Sequence, residues 1–308
     1  MQYDITALGE ILIDFTPIGQ DDAGDLMLAR KAGGAPVNVL ATVAKFGGKA
    51  AFIGKVGDDI LGKFLRRTLL EYGICDKGLQ TDRTHNTTLA FVELDENGQR
   101  NFSFYRQFGA DRFLQPEQID TELIRQAKLF HFGSLSLTDQ PARSATEYAL
   151  SVAEKAGCVV SYDPNFRAPL WTSEAAAVKM MKRSLKSVDI IKLAEEELAA
   201  MYGADESAAV KQLQALGITV ILVTRGANGA DLYMGEHFYH CPAARVRAID
   251  TTGAGDIFFG TFLSGFIKSG LDINCLPFSK ACEFLTTACA TAGASVTRRG
   301  GISSIPTL

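Results

Sequence analysis

Short apolar runs alternate with segments of helical periodicity along most of this chain, and this alternation constrains its fold more than any other feature. The runs that predict buried strands are YDITALGEILID (3–14), AAFIGKVG (50–57), LFHFG (129–133), CVVSYD (158–163), DIIKL (189–193) and ITVILVT (218–224). Strands separated by helices pair in parallel, with helices on both faces of the sheet. The sequence therefore predicts an α/β protein. Its ligands should bind past the carboxyl ends of the strands, where we place Asp14, Asp163, Lys192 and Thr224.

Residues 87–108 follow a different pattern, because apolar and polar residues alternate on either side of Asn97 and Gly98. This pattern is typical of an antiparallel hairpin with a tight turn. Together with the polar, strand-like residues 15–33, it predicts a small sheet that acts as a lid over the strand ends. No linker divides the chain, so residues 1–308 are predicted to form one α/β domain with this lid inserted in it.

Composition and charge disfavour several classes of function. The formal net charge of −4 provides no basic footprint for nucleic acid or an anionic membrane. The most apolar run, 257–267, is too short to span a bilayer, and the N-terminus lacks the pattern of a signal peptide. Six cysteines are scattered without a C-x-x-C pair, which favours reduced thiols. We therefore expect a cytoplasmic protein.

The stretch GDDILGKF, residues 57–64, has the glycine and lysine spacing of a phosphate-binding P-loop. However, Phe64 stands where a Ser or Thr must bind magnesium, and Asp58 and Asp59 would repel a phosphate. A helix N-terminus capped by an aspartate is the better interpretation.

The stretch DTTGAGD, residues 250–256, has the pattern of an anion-binding loop. Gly253 and Gly255 allow successive backbone N–H groups to converge, and the following apolar residues predict a buried helix whose dipole reinforces the site. Asp256 begins that helix. It is either an N-cap carboxylate or a base that accepts a hydroxyl proton during phosphoryl transfer, and the two roles are compatible.

This stretch resembles the C-terminal signature of the ribokinase-like (PfkB) carbohydrate kinases. Further segments resemble the family in the same order along the chain: GGAPVNVLATVAKFGG from Gly33, FIGKVGDDILG from Phe52, SYDPNFR from Ser161, VTRGANG from Val223 and GGISSIP from Gly300. The resemblance covers essentially the whole chain and is greatest to the fructokinases. It implies a ribokinase-like fold, a central mostly parallel sheet plus a small β-sheet lid. It also implies ATP-dependent phosphorylation of a sugar, D-fructose, to fructose 6-phosphate.

The resemblance also implies roles for individual residues. Asp256 is the implied base, with charge stabilisation by the N–H groups of Gly253, Ala254 and Gly255. Sugar contacts are implied for Asp14, Gly33, Gly34, Asn38, Arg106, Arg167 and Asp256, with Asp163 and Asn165 as further candidates in a DPN segment that is also an ordinary turn sequence. ATP contacts are implied for Lys192, Glu197, Thr224, Gly226, Gly229, Gly253 and Gly255. Ala194 departs from the K-x-N-x-x-E pattern of the family, because it replaces the asparagine.

The implied cofactors are magnesium, which accompanies ATP, and a monovalent cation, typically potassium. Ligands for the monovalent cation are implied around Asp250, Thr252, Val296, Arg299, Gly301 and Ser304. The predicted partners are a small-molecule sugar and ATP, without nucleic acid or membrane. Exposed strand edges on the lid also invite pairing, so a homodimer through the lid is expected.

Two other functions stay open from the sequence. The first is a kinase of the same family that acts on 2-keto-3-deoxygluconate, whose acidic group would suit Arg106 and Arg167, or on ribose or a nucleoside. The second is a non-catalytic sugar or nucleotide sensor, although a sensor has no need of Asp256 beside a glycine nest. A dinucleotide dehydrogenase is disfavoured because no G-x-G-x-x-G follows a strand.

Overall fold

The computed structural model describes residues 1–94 and 100–307 of the chain. Its strands are β1 (Tyr3–Leu8), β2 (Leu12–Gln20), β3 (Leu26–Gly33), β4 (Ala50–Gly57), β5 (Ile74–Asp82), β6 (Leu89–Leu94), β7 (Arg100–Tyr105), β8 (Ala127–Gly133), β9 (Val159–Asp163), β10 (Ile190–Ala194), β11 (Val220–Thr224), β12 (Ala230–Met234) and β13 (His237–Cys241). Its α-helices are α1 (Ala35–Lys45), α2 (Ile60–Glu71), α3 (Thr121–Arg125), α4 (Ala142–Ala156), α5 (Glu174–Arg183), α6 (Glu195–Tyr202), α7 (Glu206–Ala215), α8 (Ala254–Ser269) and α9 (Phe278–Ser295).

The larger sheet contains nine of the described strands in the order β13-β12-β11-β10-β9-β8-β1-β4-β5. Pairing is parallel from β5 through to β11, whereas β12 and β13 are added by antiparallel hairpins. One apolar core lies between the sheet and α1, α2, α8 and α9, and the other lies between the opposite face and α3 to α7. The predicted mostly parallel sheet with helices on both faces is therefore confirmed. Among the described residues, no helix combines the length and apolar character that crossing a bilayer requires.

The run 3–14 does not form the single strand that its apolar pattern predicts. β1 ends at Leu8 and β2 begins at Leu12, and the two strands belong to different sheets. Between them the chain passes against the start of α1, so closely that a Cβ on Gly9 would lie 2.6 Å from Cγ of Pro36. Asp14 is consequently the third residue of β2, not the end of a strand in the larger sheet.

The smaller sheet has the strand order β3-β2-β6-β7. The pairs β2–β3 and β6–β7 are antiparallel, and β2 runs parallel to β6. The alternating patterns in residues 15–33 and 87–108 thus correspond to paired strands. The predicted turn at Asn97 and Gly98 lies outside the described residues.

The P-loop-like stretch begins α2, as predicted. The Asp59 side chain accepts hydrogen bonds from the N–H groups of Leu61 (2.9 Å) and Gly62 (2.7 Å), which makes it the N-cap. The same carboxylate accepts the N–H of Thr87 at 2.8 Å. Asp59 therefore joins the helix to the segment that enters the smaller sheet.

Candidate active site

The N-terminus of α8 separates two cavities. A polar cleft of about 200 Å³ lies on one side, and its lining includes Glu10, Asp14, Asn38, Asn165, Arg167 and Asp256. An apolar pocket of about 300 Å³ lies on the other side, and its lining includes Ala244, Val246, Ala254, Phe258, Ala292 and Val296. Thr251 lines both. Neighbouring residues of one loop therefore face two binding spaces, which is the arrangement that transfer of a group between two ligands requires.

Gly253 is the N-cap of α8, and its conformation explains why a glycine is needed there. Its φ of 73° lies in the left-handed region. A Cβ at this position would lie 3.0 Å from Cα of Gly301 and 3.3 Å from Nδ2 of Asn38. Of the three predicted N–H donors, that of Ala254 already donates to the Thr251 carbonyl at 3.2 Å. The loop is thus held closely between the C-terminal tail and the amide of Asn38.

Asp256 is buried, and two side-chain amides hold its carboxylate. Nδ2 of Asn38 donates to one oxygen at 2.7 Å, and Nδ2 of Asn165 donates to the other at 3.1 Å. Asn165 adopts φ 45°, a left-handed conformation that is uncommon for a residue with a side chain and that aims its amide at this point. Of the two sequence-based readings, the described contacts favour the base, since Gly253 occupies the cap position.

The electrostatic surroundings adjust the pKa of Asp256 towards neutrality. Burial raises the pKa to about 7, and the negative charge of Asp163 raises it too, while the hydrogen bond from Asn38 and the positive charges of Lys192 and Arg167 oppose that shift. A general base is most effective when its pKa lies near the working pH. Asp256 therefore has the position and the proton affinity of a base.

Most residues predicted to contact a sugar lie at the polar cleft. Those that line it are Asp14, Gly34, Asn38, Asn165, Arg167 and Asp256. Gly33 lies directly over Asp14, because a Cβ there would be 2.1 Å from Oδ2 of that carboxylate. Gly33 thus makes room for Asp14.

Arg106 does not line the polar cleft in this structure, so its contact with a sugar stays a prediction. Its side chain is buried, and Nε donates to Asp111 at 2.7 Å. The other guanidinium nitrogens donate to the Thr138 hydroxyl at 2.8 Å and to the Leu135 carbonyl at 3.0 Å. Its partners come from the segment after β7 and from the segment after β8, so Arg106 joins these two parts of the chain.

Lys192 and Glu197 lie beneath the cavities and do not line them. Nζ of Lys192 is 3.1 Å from Asp163, and a Cβ on Gly255 would lie 3.2 Å from that nitrogen, so the ammonium sits under the first turn of α8. Burial alone would lower the pKa of Lys192, but the surrounding carboxylates outweigh it and raise that pKa. Lys192 is therefore a fixed positive charge.

Glu197 is buried, although it belongs to a run of three glutamates in the first turn of α6. One carboxylate oxygen accepts the N–H of Phe166 and the other accepts the N–H of Ala194, each at 2.7 Å. Because Phe166 follows Asn165, Glu197 holds the loop that aims Asn165 at Asp256.

Four of the seven residues predicted to contact a nucleotide are at the apolar pocket, whereas Gly253 lines the polar cleft and Lys192 and Glu197 lie beneath both cavities. Thr224, Gly226 and Gly229 line the pocket together with Gly255. Gly229 has φ 103°, and a Cβ there would lie 2.1 Å from the Cys241 carbonyl, so close packing of the backbone requires glycine. Most of the other lining residues are small and apolar, which is common in sites for small molecules.

The predicted ligands for a monovalent cation are close together, but several of their oxygens are already engaged. The carbonyl of Val296 accepts two N–H groups, and that of Gly301 accepts the N–H and the hydroxyl of Ser304. The carbonyl of Arg299 accepts the Ser303 hydroxyl. The Thr252 hydroxyl is buried and has no hydrogen-bond partner among the described residues. Asp250 is engaged too, because its two carboxylate oxygens accept the N–H groups of Thr252 at 2.8 Å and Gly300 at 2.7 Å. The buried Thr252 hydroxyl is therefore the oxygen of this set that best fits a cation.

Within residues 1–94 and 100–307, no group of three or more His, Cys, Asp and Glu side chains is arranged to hold a metal ion. Magnesium differs from most metals because it is usually bound through substrate phosphates and one or two carboxylates. Asp163, Glu197 and Asp256 all raise the pKa of Lys192 and are therefore grouped around its buried ammonium, which lies 3.1 Å from Asp163. This grouping fits magnesium that arrives with a phosphate ligand.

Sequence reasoning missed several residues of the site. Glu10 lies inside an apolar run, and Phe102 and Phe104 look like ordinary strand residues, yet all three line the polar cleft. The signal for Glu10 was available, since Gly9 breaks the run just before it.

Comparisons with known proteins agree with this geometry. The chain matches the pfkB family carbohydrate kinases over residues 3–308. It is similar to the probable fructokinase-5 of Arabidopsis thaliana, with 38% identity over 307 residues that cover 98% of this chain and 94% of that protein. Among solved structures it is similar to a fructokinase from Xylella fastidiosa with bound ATP, with a TM-score of 0.91, 33% identity and coverage of 99% and 96%. It is also similar to a fructokinase from Vibrio cholerae O395 with fructose, ADP and calcium bound, with a TM-score of 0.90, 29% identity and coverage of 99% and 97%.

Proposed function

Because the chain belongs to the PfkB family of carbohydrate kinases, we propose that it transfers the terminal phosphoryl group of ATP to D-fructose and forms fructose 6-phosphate. The similar fructokinases from Xylella fastidiosa, with ATP, and Vibrio cholerae, with fructose and ADP, support this choice of substrates. The observation that carries the proposal is the position of Asp256, a buried carboxylate at the boundary between the polar cleft and the apolar pocket.

The chemistry follows from that position. We place fructose in the polar cleft, where Asp256 accepts the proton of the primary hydroxyl as its oxygen attacks the terminal phosphorus of ATP. The bond from that phosphorus to the bridging oxygen breaks, and ADP leaves with the electron pair. The N–H groups of Gly253 and Gly255 stabilise charge on the phosphoryl oxygens, whereas that of Ala254 already donates to the Thr251 carbonyl. Such donors contribute about 3 kcal/mol each in other enzymes.

The apolar pocket is the proposed site for the adenine and ribose of ATP. Thr224, Gly226 and Gly229 line it, and the positive charge of Lys192 lies beneath the first turn of α8, where the phosphates would pass. Magnesium, when bound, would neutralise part of the phosphate charge. Asp163 and Glu197 are the carboxylates that we propose on the magnesium side of the phosphates. For potassium, the buried Thr252 hydroxyl beside Asp250 is the supporting observation.

The smaller sheet is the proposed lid over the cleft, since Phe102 and Phe104 of β7 line it. Closure of this sheet would exclude water and limit hydrolysis of ATP. The sheet also exposes Leu26, Met27 and Leu28 on the edge strand β3. Exposed apolar edges favour pairing, which supports a homodimer through the lid.

A substrate panel tests the proposal. ADP release is measured with magnesium-ATP and potassium in the presence of fructose, 2-keto-3-deoxygluconate, ribose, glucose and adenosine. Fructose should give the highest kcat/KM. A higher kcat/KM with another acceptor would make that compound the substrate and leave the kinase assignment unchanged. Binding of ATP without ADP release with every acceptor would favour a non-catalytic sensor.

The pH dependence of the reaction follows from the raised pKa of Asp256. Only the ionised carboxylate accepts a proton, so kcat/KM for fructose should rise with pH, reach half its maximum near the pKa of about 7 and level off above it. Direct detection of ADP avoids coupling enzymes with their own pH profiles. The pKa of Glu10 is also raised to about 7, so its titration could produce the same profile. Glu10→Gln is therefore the control, and its kcat/KM should still fall as the pH is lowered through about 7. A kcat/KM that does not change with pH across this range would show that Asp256 is not the base.

A further inference from the structure

Arg225 lies inside the loop that lines the apolar pocket, yet its own side chain does not line that pocket. The backbone of the loop closes on itself, because the N–H of Arg225 donates to the Gly229 carbonyl at 2.8 Å. Gly226 and Gly229 both adopt positive φ, of 53° and 103°. Because glycine is free to adopt many other conformations, these two residues do not fix the shape of the loop by themselves. A group that reaches out of the loop must therefore hold it, and the side chain of Arg225 does so.

The guanidinium of Arg225 contacts three carboxylates, which belong to three different elements. Nε is 2.7 Å from Asp231 of β12, Nη1 is 3.1 Å from Glu195 at the start of α6, and Nη2 is 2.5 Å from Glu206 at the start of α7. The side chain of Arg225 is 21% exposed and that of Asp231 is 5% exposed, so their ion pair is partly buried. A planar guanidinium held through three nitrogens is fixed in position and in orientation, whereas a point charge is not.

Two of these carboxylates have further partners that keep them in place. The other oxygen of Asp231 is 2.6 Å from Nδ1 of His240 on β13, and Glu206 accepts the hydroxyl of Tyr233 on β12. The guanidinium of Arg225 is the positive charge that all three carboxylates share. Its removal would leave three like charges close together in a partly buried place, and their repulsion would release the loop from its present position.

The first turn of α6 connects this anchor with the acceptor side of the site. Glu195 is the first residue of the helix and contacts Arg225. Glu197, two residues later, accepts the N–H of Phe166 in the loop next to the polar cleft. Arg225 therefore fixes the nucleotide loop relative to the same helical turn that holds the loop on the other side.

We propose that Arg225 is a positioning residue for the nucleotide, which holds the loop from Gly226 to Gly229 in the conformation that receives ATP without touching ATP itself. The inference rests on the proposed kinase function and extends it, since it assigns part of the affinity for ATP to a side chain outside the pocket. Fructose is placed in the other cavity, and Asp256 keeps its own contacts. Loss of Arg225 should therefore change KM for ATP, with little change in kcat or in KM for fructose.

The experiment compares the wild type with Arg225→Gln and Arg225→Lys. ADP release gives kcat and the KM values for ATP and fructose, and calorimetry gives the Kd of magnesium-ADP. We expect Arg225→Gln to raise KM for ATP and the Kd of magnesium-ADP by about tenfold, the scale on which groups of one charged network are coupled. KM for fructose and kcat should change by less than about threefold. Arg225→Lys should lie between wild type and Arg225→Gln, because an ammonium keeps the charge but cannot hold three carboxylates in the same way.

Arg66→Gln is the matched control. Arg66 joins α2 to β5, since Nη1 is 2.6 Å from Asp76 and Nη2 is 2.6 Å from the Leu79 carbonyl. It lies outside both cavities. The change should lower Tm, as Arg225→Gln does, and leave KM for ATP unchanged.

Different failures of this experiment have different meanings. An unchanged KM for ATP and Kd of magnesium-ADP in a folded Arg225→Gln enzyme would overturn the inference and leave the kinase proposal intact. An equal rise of both KM values, or the same rise in Arg66→Gln, would also overturn it, because either result indicates a general loss of stability. A wild type that phosphorylates no sugar would overturn the kinase proposal, and the Kd of magnesium-ADP would then test Arg225 alone.

If Arg225→Gln does not fold, Glu195→Gln decides. The Glu195 side chain is 42% exposed, so its replacement removes one contact of Arg225 without emptying a buried site. The Kd of magnesium-ADP should rise in this variant, and an unchanged Kd would contradict the inference.

Discussion

Asp256→Asn should lower kcat for fructose by about 10³-fold while ATP and fructose still bind. General base catalysis contributes on this scale, and the amide cannot accept the hydroxyl proton. The replacement fits the site, because Asn38 can turn its amide so that its Oδ1, which has no partner among the described residues, accepts from the new Nδ2. Steady-state kinetics gives the change in kcat, and equilibrium binding of both ligands confirms that the cavities are intact.

The same variant should be more stable than the wild type above neutral pH. The pKa of Asp256 in the folded state, about 7, is higher than the ordinary value of 3.8, so the folded protein holds a proton that the unfolded chain releases. The cost of ionising Asp256 in the fold therefore begins as pH rises through about 4 and is complete above about 7. Asparagine removes this cost, so the free energy of unfolding at about pH 8 should rise by up to about 4 kcal/mol, which is the cost of raising that pKa from 3.8 to about 7, and Tm should rise with it.

Asp189→Asn is the matched control for both effects. Burial raises the pKa of Asp189 as well, but this residue lies outside both cavities and accepts the N–H of Val160 at 2.8 Å. It should leave kcat unchanged. An Asp256→Asn enzyme that keeps most of its turnover would show that another group accepts the proton.

Gly253→Ala should lower kcat/KM for fructose by about 10²-fold without unfolding the protein. The left-handed φ of 73° costs an alanine about 1 kcal/mol. The new methyl group would also press on Cα of Gly301 and on Nδ2 of Asn38, the amide that holds Asp256. A displacement of about 1 Å at such a point can cost about 10²-fold in rate.

Gly157→Ala separates backbone strain from damage to the site. Gly157 ends α4 with φ 69°, and a Cβ there would meet nothing within 4 Å. Thermal unfolding should show a comparable loss of Tm in the two variants, whereas only Gly253→Ala should lose activity. Equal losses of activity in both would mean that the contacts of Gly253 with Asn38 and Gly301 do not matter for turnover.

The sequence predicts the larger sheet well because burial on both faces leaves continuous apolar runs, and it predicts the α8 loop because both glycines and Asp256 are needed together. The sequence-based prediction is wrong where one continuous apolar run contains more than one strand. Residues 3–14 are apolar throughout, yet the chain changes sheets at Gly9, and this hides Glu10 within a predicted strand. The contacts of Arg106 could not be predicted for another reason. A guanidinium suits a ligand or a buried partner equally, and only the tertiary structure shows that Asp111 binds it.

The apolar pocket shows the same limit. Ala244, Ala292 and Val296 are small residues with no chemical signature, and they come from a loop, a helix and a helix end that are far apart in sequence. They line one pocket because the fold brings them close together in space, which periodicity does not encode.

The division of the site at α8 has an evolutionary consequence. The cleft takes most of its side chains from the first 170 residues, whereas the pocket takes its side chains from residues 224–296, and Thr251 is shared. Mutations in the cleft can therefore change the acceptor while residues 224–296, which line the proposed ATP pocket, stay unchanged. A chain built in this way can give rise to kinases for new metabolites without having to reinvent the use of ATP.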